Sequence, residues 1–474
     1  MMKGFRSIIP AVTLAGALLA ASLPGSVGAQ TKTFSSGFQI QNLTSTEATI
    51  SMAFYPADTA TPSDTVPGTV PASGSATYAT LPDAVDSGFS GSAVISSDQR
   101  IAAIVNLVSP SLGSLVGGTA GALGEAYIGV TGGAQQVALP LLFKNASGFS
   151  TFFSVQNVGQ TETTVTVTYS GGGLSSTVSE DATIAPGSSH RFDQSANTSL
   201  PNGFNGSAIV ESTASDVAAV VTQVGSTTAL VYNGFASGSN LPVFPLVNAN
   251  NAGYITGIAL QNIGDQETTV TVQYTPSTSG TACTEELTIA PNGGTQFFAI
   301  NAFANNNNGD DCANGTTFVG SARVITNSAS QPLVGIVNQL NVAAGTSGNK
   351  GGSYSSFDAA AATDTVVFPL VQDRVAGFFT GLSIVNLGST AVTIECSFSN
   401  TQVTQTSPQP IAQYGTYTPV QVGNLADGYN GSGTCTAVDG SGNPVAGAQI
   451  IGIANQVRLS PAVDAFFVYE GTND

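Results

Sequence analysis

Thr163-Thr164-Val165-Thr166-Val167-Thr168-Tyr169 alternates polar with apolar residues, and Thr268-Thr269-Val270-Thr271-Val272-Gln273-Tyr274 repeats the pattern. A period of two sends one row of side chains inward and the other outward, which is the pattern of a half-buried strand. Valine and threonine suit such a pleated surface. Each stretch also keeps a fixed distance from an asparagine. Apolar strands close on Asn42, Asn157, Asn262 and Asn386, and twelve residues after each stands an aromatic: Phe54, Tyr169, Tyr274 and Phe398.

Two further markers recur in the same order. Gly-Ser followed by small and apolar residues begins at Gly91, Gly206, Gly320 and Gly431, with Phe89, Phe204, Phe318 and Tyr429 two residues earlier. Apolar runs then end on Asn106, Gln223, Gln339 and Gln456. Three ordered markers found four times define four tandem repeats. Turns fall where Gly, Pro and Asn cluster, as at Ala185-Pro186-Gly187 and Pro201-Asn202-Gly203, and no stretch of the mature chain carries a helical stripe. The reading is all-β: four immunoglobulin-like β-sandwich repeats over residues 30–136, 137–241, 242–364 and 365–474, after a signal peptide at 1–29. A barrel is the architectural alternative. Gly/Ser/Ala-rich tracts at 111–133 and 343–362 read as spacers or long hairpin loops; apolar pieces such as Ala229-Leu230-Val231-Tyr232 favour strands with loops.

The length, 474 residues, is itself too great for one sandwich. Charged residues make up 8% and hydrophobic residues 42%, a balance opposite to that of a disordered chain. Ten basic residues against 28 acidic give −18, which excludes a chain-wide footprint for nucleic acid or anionic lipid. Lys3 and Arg6 precede an apolar run at 8–23, and Val27-Gly28-Ala29 supplies small residues for cleavage after Ala29. Removing Lys3 and Arg6 takes the charge to −20. No later run is long enough to span a bilayer, so the expected location is secreted, extracellular or at the cell surface.

Residues that carry catalysis are scarce, and the protein reads as a non-enzyme. The one histidine, His190, sits where other repeats hold Ser75 and Thr295, as an outward strand position would. No Gly-x-Ser-x-Gly elbow, phosphate loop or zinc spacing occurs. The sequence calls for no cofactor; calcium held loosely by surface acids is the one ion it accommodates, and the run Asn305-Asn306-Asn307-Asn308-Gly309-Asp310-Asp311 reads as a solvated insertion before it reads as a calcium loop. With no Trp, and with most aromatics at repeat-equivalent positions, sugar stacking is weakly supported.

Together the repeats, leader and acidic, sulfur-poor composition resemble bacterial cell-surface proteins built of tandem immunoglobulin-like sandwiches, of surface-layer or adhesin type. The resemblance implies a structural protein forming or decorating a layer, fibre or stalk, with an adhesin or carbohydrate-binding array as the alternative. The partners it implies are further copies, another cell-surface protein or a glycan.

The four cysteines read as two disulfides. Cys396 and Cys435 replace apolar pairs at inward positions (Met52 and Ile95, Val167 and Val210, Val272 and Val324), so a bridge across the sandwich core is expected, in the role of the immunoglobulin inter-sheet bond. Cys283 and Cys312 then pair by elimination, as a surface staple flanking the Asn-rich insertion. Finally, Leu139-Pro140-Leu141, Phe244-Pro245-Leu246 and Phe368-Pro369-Leu370 each begin 18 residues before an Asn marker, whereas 18 before Asn42 lies Pro24, inside the leader. Four sandwiches share three such strands. One terminal repeat is therefore expected to expose an edge through which chains associate.

Overall fold

The computed structural model describes residues 12–16, 34–108, 124–225, 228–298, 312, 316–341, 350–458 and 465–473. Strands dominate among these residues, and none of the sheets they form closes into a barrel. Repeat 2 shows the unit. One sheet runs Val178–Ile184, Thr163–Gly171, Phe204–Ser212, Gln136–Lys144; the other runs Ser189–Asp193, Ser150–Asn157, Val217–Val224, Ala229–Asn233. All neighbours are antiparallel. Where the immunoglobulin constant domain has seven strands, this unit has eight, four in each sheet. The same two orders recur in the other repeats, and in repeat 4 the sheets join where Asp373 pairs with Phe379.

Alternation decides the layering. Val165, Val167 and Tyr169 are buried while Thr164, Thr166 and Thr168 face outward, and residues 268–274 follow the same rule. The Asn marker is a brace. Asn157 Nδ2 donates to the carbonyls of Thr161 (2.7 Å) and Ile184 (2.9 Å), and Oδ1 accepts from Gly159 N–H (3.0 Å). Asn42, Asn262 and Asn386 make the same three kinds of bond. The Gly marker is a close approach: a Cβ on Gly91, Gly206 or Gly320 would lie 1.9, 2.2 or 2.0 Å from the carbonyl oxygen of Tyr55, Ser170 or Thr275 on the neighbouring strand. The adjacent serine reaches into the following repeat, where Ser92 and Ser207 donate to the carbonyls of Gly187 and Gly293, and Ser321 to that of Tyr414.

Those serines announce how the repeats are arranged. Each hydrophobic core takes in side chains of the next sandwich: the first includes Phe152 and Val231, the second Ala259 and Ile336, the third Ile453 and Val468. The fourth core includes Ile104 and Ala126 of the first repeat, which closes the circle. Gln39 of repeat 1 seals that last joint by donating to the carbonyls of Pro369 and Gly431. One strand near the end of each repeat, Gly124–Ile128, Ala229–Asn233, Lys350–Ser355 and Phe466–Glu470, packs against its counterparts on a common axis.

The brace is checked directly by Asn157→Ala. It leaves two buried carbonyls and one N–H without their partner, so repeat 2 should lose about 2–4 kcal/mol, read as a lower denaturation midpoint. Thr164→Ala, on the outward row, should change it little.

Candidate functional site

The axis is the polar interior of the molecule. Glu125, fully buried, accepts from the N–H of Ala126 (2.8 Å), of Val468 in repeat 4 (3.0 Å) and of Ser353 in repeat 3 (3.0 Å). One carboxylate thus ties three repeats together. Gln223 and Asn338 exchange amide hydrogen bonds of 3.2 and 2.8 Å between repeats 2 and 3. Glu470 accepts from Ser355 N–H, and burial pushes its carboxyl above the usual range while that bond pulls it back. Beside it opens a cleft of about 340 Å³ to which all four repeats contribute, through Ile128, Asn233, Ser237, Ser356, Asp358 and Glu470. Asn233 Oδ1 and Ser355 Oγ are buried there without a hydrogen-bond partner among the described residues.

A second arrangement grips the strand that opens each repeat. Tyr232 Oη donates to the carbonyl of Leu141 (2.7 Å) and accepts from its N–H (3.2 Å). Tyr354 does the same to Leu246 (2.6 and 3.2 Å), and Tyr469 to Leu370. These are the leucines of the three apolar-Pro-Leu strands, and each such strand pairs with the Gly-Ser strand of the repeat it opens. The repeat without one is therefore the first. There Val12–Gly16, part of the apolar run read as a leader, pairs with Gly91–Ser97. Tyr127 stands at the equivalent register, and its hydroxyl is buried with no partner among the described residues. Burial pushes all four phenols well above the ordinary tyrosine range, so they remain neutral.

The cysteines are joined as Cys396–Cys435 and Cys283–Cys312. The first bond does not cross between sheets as expected. Cys396 and Cys435 are directly opposed on neighbouring strands of one sheet, both pointing inward, because the apolar positions they replace are themselves cross-strand partners: Val167 with Val210, Val272 with Val324. Nor is the second bond a surface staple, since both Cys283 and Cys312 lie in the core of repeat 3. The Asn-rich run at 305–311 lies outside the described residues. His190 meets Asp58 of repeat 1 at 2.8 Å and the edge of Phe192, a contact that joins two repeats. Among the described residues no group of three His, Cys, Asp or Glu side chains is placed to hold a metal.

Raising the Glu470 carboxyl favours its protonated form in the folded protein. The stability this contributes is present below the ordinary carboxyl range and is lost as pH rises through the raised value. Glu470→Gln should therefore flatten the fall in melting temperature as pH rises above the ordinary carboxyl range, and an unchanged slope would show that Glu470 contributes no such pH dependence.

No protein-family model and no curated protein matches this chain.

Proposed function

We propose that the protein is an exported, non-enzymatic building block of the cell surface, which forms or decorates a layer or fibre. The observation that carries this reading is the closed ring of four sandwiches. Its polar interior is spent on holding repeats to one another, through Glu125, Gln223 and the Gly-Ser serines. A ring offers a compact block for tiling in place of a string of rigid units. Two disulfides, and the lack among the described residues of a helix long and apolar enough to cross a membrane, are compatible with an extracellular protein. Export itself follows from the leader pattern, with cleavage after Ala29.

A second reading, carbohydrate binding, is favoured by the cleft at the axis, where hydroxyls, a carboxamide and two carboxylates converge. Such groups recognise sugars by hydrogen bonding without an aromatic platform.

Negative-stain microscopy of the purified protein beginning at Gln30 separates the two. Ordered sheets or filaments support the building block. A monodisperse particle that binds defined sugars on a glycan array, and loses that binding in Asp358→Asn, supports the second reading instead.

A further inference from the structure

The opening strand of repeats 2–4 follows one recipe. A core residue (Val137, Val366) is followed two positions on by a large one (Leu139, Phe244, Phe368), then Pro and Leu, and the leucine main chain meets the tyrosine hydroxyl. These side chains lie in the sandwich core, opposite Val210, Ala208, Ala322, Cys435 and Gly433 of the Gly-Ser strand. In repeat 1 the matching residues are Ile95 and Ala93, and the segment Val12–Gly16 pairs there with Leu14 opposite Ile95 and Gly16 opposite Ala93. A glycine thus stands where the other repeats hold Leu or Phe. The pairing is right and the pattern is not. Tyr127 adds an independent sign, since among the described residues its fully buried hydroxyl lacks the main-chain partner that Tyr232, Tyr354 and Tyr469 all have.

We propose that, once the leader is removed, this slot accepts a strand from another polypeptide, with the pattern apolar-x-large apolar-Pro-Leu, and that Tyr127 grips its leucine main chain. The inference rests on the export reading above, because cleavage after Ala29 removes residues 12–16 and leaves Gly91–Ser97 as an unpaired edge. An open edge is a template for strand addition. Two copies joining through Gly91–Ser97 alone would pair main chains, yet would bring no side chain into the core and no acceptor to Tyr127. The apolar-Pro-Leu strands of a second copy are already used within its own repeats. The occupant is therefore a different chain that presents a free strand of this pattern.

The probe is a labelled peptide of residues 136–144, Gln-Val-Ala-Leu-Pro-Leu-Leu-Phe-Lys, added to protein beginning at Gln30 and followed by fluorescence anisotropy. Saturable one-to-one binding is expected, lost in a peptide carrying L139D and L141D, and at least tenfold weaker in protein that keeps residues 1–29. Tyr127→Phe removes both hydrogen bonds to the leucine main chain and should weaken the peptide by roughly tenfold or more, without lowering the melting temperature of the unliganded protein; Tyr232→Phe should lower that temperature and leave peptide binding alone. If protein beginning at Gln30 does not fold, refolding rescued by the 136–144 peptide but not by its L139D/L141D form supports the slot equally. Absence of both binding and rescue, equal binding of the two peptides, or a dimer that the peptide does not displace would overturn it. Mass spectrometry of the exported protein reads the underlying premise separately: retention of residues 12–16 overturns export processing and the slot together, whereas a cleaved protein that ignores the peptide overturns the slot alone.

Discussion

Four five- or six-residue strands, each carrying one buried tyrosine, meet on the axis of this molecule, and the rest of the structure is arranged around that meeting. A sandwich of about a hundred residues buries a modest core on its own. Here each core borrows side chains from the next repeat, so apolar area that would face water in a linear array is covered. The tyrosines couple this packing to the sandwiches themselves. A neutral phenol can both donate and accept, and three of the four use both capacities on a single leucine of the strand that opens the repeat. The axis and the outer sheet edge are thus held by one side chain.

Burying polar groups at such a junction is costly unless each is matched. Glu125 is matched by three N–H groups from three repeats, and the Gln223–Asn338 pair closes on itself. These bonds fix which sandwich lies beside which, a specificity that apolar contact alone lacks. Asp373 follows the same logic within repeat 4, where a fully buried carboxylate takes N–H bonds from Gly423 and Leu425 and a contact from Arg374.

Much of the unit was legible in the sequence because its signals are local. Alternation in 163–169 and 268–274 sets which row is buried. The Asn and Gly markers recur because each answers a requirement met within one sandwich: a three-bond brace at Asn157, and a carbonyl too close for any Cβ at Gly206. The ring was not legible. Its contacts join residues more than a hundred positions apart, such as Glu125 with Val468, and the periodicity of a strand is the same in a closed ring as in a string. The Cys396–Cys435 bond shows the same limit. Two inward positions could be recognised, but alternation does not say whether they face each other across a core or sit side by side on one sheet. The count of three apolar-Pro-Leu strands for four repeats is local and legible, whereas the buried hydroxyl of Tyr127 that gives the count chemical meaning arises only in the folded chain.

Closure of the four repeats on a shared axis is the claim on which the account stands, and small-angle X-ray scattering of the protein beginning at Gln30, extrapolated to zero concentration, tests it most directly. A compact ring of this length should give a radius of gyration of about 22 Å with a single-peaked distance distribution. Four sandwiches strung end to end would give roughly twice that radius and a long-tailed distribution, and that result would contradict the shared axis.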